Sequence, residues 1–111
     1  MEHVDNPVLF LDSIKRKYSK HIDKLIITVP NAFKIENFIF IKNDNIEMIN
    51  SDHRYWFTPY TLGKVVTRAC LKIEGYGFFQ SYQVTRGSEM EKELLINPAM
   101  RDTILMIVDL T

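Results

Sequence analysis

Apolar residues at Leu62, Val65, Val66, Ala69, Cys70 and Ile73 fall at i, i+3, i+4, i+7, i+8 and i+11. That spacing places them on one side of an α-helix. Thr58 is a capping residue type, and Pro59 suits a first helical turn. Gly75 stands where a left-handed C-terminal cap belongs, so the pattern predicts a helix over about 59–74 with Cys70 in the core. A second helical period runs through Leu11, Ile14, Tyr18, Ile22 and Leu25 after Asn6-Pro7, predicting a helix over about 7–22. Ser88 and Glu91 have the spacing of a capping box and predict a short helix over about 89–95, closed by Asn97-Pro98.

Other apolar runs lack a helical period. Leu25 to Val29 is rich in β-branched residues and reads as a strand. Phe38 to Ile41 reads as another, and the turn residues Asn43-Asp44-Asn45 join it to Ile46–Ile49 as a hairpin. Asn50-Ser51-Asp52 is a further turn, and His53 to Phe57 reads as a short extended segment. Phe78 to Thr85 reads as a strand, and Thr103 to Val108 as a buried strand, with a short helix from Pro98 as its alternative. The expected fold is one α+β domain. About three helices pack on a four- or five-stranded, mostly antiparallel sheet, in the order α, β, β, β, extended segment, α, β, α, β.

The length of 111 residues supports this single domain and a true core. One cysteine excludes an internal disulfide. No apolar run approaches the roughly 20 residues of a membrane span, and Met1 to Asp5 lack the regions of a signal peptide. A cytoplasmic protein is expected. The wealth of Ile, Lys and Asn fits AT-rich coding, as in viral, phage or mobile-element genes, where the cytoplasm would be that of a host cell.

Formal net charge is zero, which argues against a generic polycation. The charge is uneven, however: residues 51–86 carry net +3 and residues 87–111 net −3. The basic middle also holds eight of the thirteen aromatic residues, so candidate binding surfaces concentrate there. On the predicted helix, Lys64, Arg68 and Lys72 form a row at four-residue steps opposite the apolar stripe. Such a row suits phosphates, with Arg86 beyond it as a further contact. Arg54, Tyr55, Trp56 and Tyr60 are of the types enriched in protein-interface hot spots. If Tyr55–Phe57 is extended, Tyr55 and Phe57 face one way and Trp56 the other.

Catalytic chemistry is thin. Ser51-Asp52-His53 are consecutive, whereas a triad assembles from distant segments. His3, His21 and His53 have no metal-ligand spacing, and Gly75-x-Gly77 lacks the third glycine of a phosphate loop. The sequence therefore points to a non-enzymatic protein without cofactor or metal. The first expectation is a protein-interaction module whose partner is another protein or a second copy, using Arg54, Tyr55, Trp56 and Tyr60. The acidic 89–93 helix would suit a basic partner. The alternative is a nucleic-acid-binding protein using Lys64, Arg68, Lys72 and Arg86.

Overall fold

The computed structural model describes residues 1–49 and 55–111. Among these it is an α+β fold with four α-helices and a three-stranded antiparallel sheet. The order is α1 (Pro7–Tyr18), β1 (Lys24–Pro30), α2 (Ile35–Lys42), a 3-10 turn (Ile46–Ile49) and α3 (Pro59–Arg68). It continues with β2 (Lys72–Phe79), α4 (Glu89–Ile96), a second 3-10 turn (Pro98–Met100) and β3 (Thr103–Asp109). The last strand lies in the middle, giving the spatial order β1-β3-β2.

Helix starts follow local chemistry. The Asn6 side chain accepts from Leu9 N–H, and Pro7 occupies the first turn of α1. Thr58 and Thr61 cap one another reciprocally at the start of α3. Ser88 accepts from Glu91 N–H at the start of α4.

One face of the sheet carries the core. Ile104, Met106 and Val108 of β3 and Ile27 and Val29 of β1 are buried against Leu11 of α1 and Leu62 and Val66 of α3. Phe57, Ala69, Leu71 and Leu110 complete this cluster. Burial of such residues is the main stabilising term.

Several sequence expectations are corrected. Phe38 to Ile41 lies in α2, and Ile46–Ile49 is a 3-10 turn, so the hairpin does not form. A short apolar run has no resolvable period, and here Asn37, not a hydrophobe, is the buried residue of α2. Helix α1 ends at Tyr18, leaving Ile22 exposed and Leu25 in β1. Helix α3 stops at Arg68, because Cys70 takes a left-handed conformation with φ 61° and Leu71 turns into the core. Cys70 is therefore exposed rather than buried. Gly75 lies inside β2 beside a bulge, and β2 starts and ends earlier than the strand expected over 78–85. The expected turn at residues 50–52 and the start of the 53–57 segment lie outside the described residues.

Cys70 supplies a first prediction. A left-handed residue with a Cβ carries a penalty that glycine avoids, partly offset by the greater freedom of unfolded glycine. Cys70→Gly should raise stability by about 0.5–1 kcal/mol, read as a higher urea midpoint at unchanged m-value. The backbone carbonyl that accepts from Lys15 Nζ at 2.8 Å is retained in the variant. A lowered midpoint would show that the Cys70 side chain contributes more than its conformation costs.

Candidate protein-binding surface

Among the described residues, no element packs over the second face of the sheet. Cross-strand register places Lys24, Ile26, Thr28 and Pro30 of β1 on it, beside Asp109, Ile107, Leu105 and Thr103 of β3. On the other side of β3, at the same four levels, stand Lys72, Gly75, Gly77 and Phe79 of β2. Ile26 is 63% exposed. Leu105 and Ile107 remain half-buried although they sit on the central strand. A Cβ built on Gly75 or Gly77 would meet nothing within 4 Å. The face is thus an aliphatic ridge along β1 and β3 with a side-chain-free strip along β2.

The residue pattern of β3 is informative here. An antiparallel strand with one wet face alternates apolar and polar residues, whereas a run without alternation is typical of strands covered on both sides. Thr103–Asp109 reads TILMIVD, with five apolar residues in succession, yet the described residues cover only one face.

Charge gathers at one end. Lys24 Nζ donates to Glu74 Oε1 across β3. This hydrogen bond, with the nearby carboxylates of Glu74, Asp109 and Asp23, holds the Lys24 amine above its usual range despite some desolvation. Asp109 is held below the usual carboxylate range, first by the Thr111 hydroxyl and backbone N–H, then by Lys24 and Lys72. The strand residues at this end, Lys24, Lys72, Glu74 and Asp109, are neutral as a group, with Asp23 just before β1.

At the opposite end the face runs into a cleft of about 340 Å³ lined by residues including Pro30, Lys34, Trp56, Phe79, Tyr82 and Thr103. Lys34 Nζ lies 5.3 Å from the centre of the Trp56 ring, within cation–π range. Buried polar groups fix the chain beside the cleft. Asn31, fully buried, donates through Nδ2 to the carbonyls of Ala99 and Arg101, each at 2.7 Å. Its Oδ1 accepts from Phe33 N–H at 3.0 Å. The buried Asp102 carboxylate accepts from Ser81 N–H at 2.7 Å, Tyr82 N–H at 3.1 Å and the Thr103 hydroxyl at 2.8 Å. These bonds turn the chain out of β2 and present Tyr82, which is 76% exposed.

The described residues singled out from sequence lie on several elements. Tyr55 and Phe57 face the same way, with ring centres 6.0 Å apart, and the Tyr55 hydroxyl donates to the Asp5 carbonyl. Trp56 lies in the cleft, half-buried. Tyr60 projects from the first turn of α3, 77% exposed. Arg54 and His53 lie outside the described residues. The basic row is broken: Lys64 and Arg68 are exposed on α3, but Lys72 belongs to β2 and lies opposite Asp109. Arg86 is in an exposed turn before α4. Sequence reasoning missed Ile26, Leu105, Ile107, Gly75 and Gly77. Their signal was the unbroken apolar run of β3 and two glycines inside a strand.

No helix among the described residues is long and apolar enough to cross a membrane, and among them no group of His, Cys, Asp or Glu is arranged to hold a metal. No family model matches the chain, and no curated protein matches it.

Proposed function

We propose that the protein is a small protein-interaction module whose docking surface is the open sheet face, with the Trp56 cleft at its rim. The observation that carries this reading is the pairing of an aliphatic outer face (Ile26, Leu105, Ile107) with a central strand patterned for cover on both sides. Trp56 and Tyr82 at the rim are residue types that anchor protein interfaces. Tyr55 and Tyr60 contribute less, because one hydroxyl is engaged by the chain and the other ring stands apart on α3.

A nucleic-acid role has less support. It would rest on Lys64, Arg68 and Arg86, since Lys72 has left the row and lies near Asp109. The open face has only Phe79 as a stacking ring on the strands, and its charges cancel.

The reading is tested with immobilised protein and a Leu105→Lys, Ile107→Lys variant of verified circular dichroism. The native protein should retain a protein, another chain or its own, in near-stoichiometric amount. The variant should lose at least tenfold of it, because two buried cations on an apolar interface are costly. Equal retention by both, or none by the native protein, would refute the proposal.

A further inference from the structure

We infer that the occupant of the open face is a second copy of the same chain, packed sheet to sheet about a twofold axis along β3. The inference rests on the interaction reading above and names its partner. Its basis is the side-by-side register of the three strands.

A twofold axis lying in the interface along β3 exchanges the two outer strands. Whatever β1 presents at a given level then meets what β2 of the other copy presents at that level. Ile26 shares its level with Ile107 and Gly75, so each copy's Ile26 lies over the other's Gly75. Thr28, Leu105 and Gly77 share the next level, which sets Thr28 over Gly77. The most exposed aliphatic side chain of β1 thus meets a position with no Cβ and open space above it. Pro30, Thr103 and Phe79 share the following level, setting a ring against a ring. At the charged end the same operation sets Lys24 of each copy at the level of Lys72 of the other, a like-charged pairing that the adjacent Glu74 and Asp109 carboxylates offset. The contact is reciprocal, as a twofold interface requires. The net charge of zero puts no long-range repulsion between copies.

Glycines suit this arrangement. Inside a strand they weaken the fold by themselves, and they occur where another backbone or ligand approaches closely. Neither Gly75 nor Gly77 has a positive φ that would demand glycine, so their backbone conformations accept a side chain. Strand spacing and rise give a footprint of roughly 14 by 23 Å per copy, small for a permanent dimer. The association is therefore concentration-dependent.

Sedimentation velocity from roughly 5 to 500 µM reads the association. The native chain should pass from monomer to dimer across this range. Gly77→Val should weaken the dimer by roughly a hundredfold, because a side chain there meets Thr28 of the other copy, while the urea midpoint of the monomer stays level or rises. A native chain that stays monomeric throughout overturns the inference, as does a dimer indifferent to Gly77→Val. A monomer that still holds a different protein, lost on Leu105→Lys, Ile107→Lys, overturns the self-association and leaves the interaction reading standing.

Discussion

Asn31→Ala should lower stability by about 2–4 kcal/mol, the cost of leaving buried carbonyls and an N–H without partners. Asn31 is 0% exposed, and its side chain joins three separate backbone groups, at Ala99, Arg101 and Phe33. These groups tie the end of β1 to the turn that precedes β3, next to the Trp56 cleft. Asn31→Asp is the sharper variant. It keeps the shape but points a carboxylate oxygen at two carbonyl oxygens where an amide donated. Its cost should match or exceed that of Ala at pH 7, and should shrink at acid pH, where a protonated carboxyl can donate again. The sign follows from burial and two facing carbonyls, which raise that carboxyl's pKa in the folded state. Urea denaturation at pH 7 and pH 4 measures both variants. A loss below 1 kcal/mol for Asn31→Ala would mean that water replaces these bonds at little cost.

Leu62→Ala should cost about 3–4 kcal/mol and lower Tm by roughly 10–20 °C, because its fully buried side chain leaves a cavity that the surrounding sheet cannot close. Leu62 is 0% exposed in the cluster formed by α1, α3 and the inner face of β3. Tyr60→Ala, two residues earlier on the same helix, should change stability by no more than about 0.5 kcal/mol, since its ring is 77% exposed. The contrast tests the orientation of α3. Equal losses at both positions would mean that the helix is rotated from the position described.

The orientation of α3 was legible because Leu62, Val66 and Ala69 repeat at a helical period and Thr58-Pro59 marks the start. Its end was not. Cys70 is an unusual residue for a left-handed position, and Leu71 and Ile73 extend the helical period although they turn into β2. That misplaced end carried the expected basic row with it: Lys72 follows Arg68 at helical spacing but belongs to a strand, opposite Asp109. Likewise, Phe38 to Ile41 was read as a strand because four apolar residues show neither period, and Asn37 anchors them as a helix through its bond to the Ala32 carbonyl. The α+β class and the antiparallel sheet survived these shifts, since β1, β3 and the capped helices each have a strong local signal. The open face was legible only in part. The unbroken apolar run of β3 is visible in the chain, but Ile26 and the glycines Gly75 and Gly77 come to one face, on either side of β3, only through strand order, which no local pattern encodes.

The most direct test is a pair of 15N-correlation NMR spectra, one dilute and one concentrated. If the open sheet face is an interface between copies, amide shifts should move with concentration at Ile26, Thr28, Gly75, Gly77, Leu105 and Ile107, while those of Tyr60, Lys64 and Arg68 on α3 stay in place. Spectra that do not change with concentration, or changes confined to α3, would contradict the account.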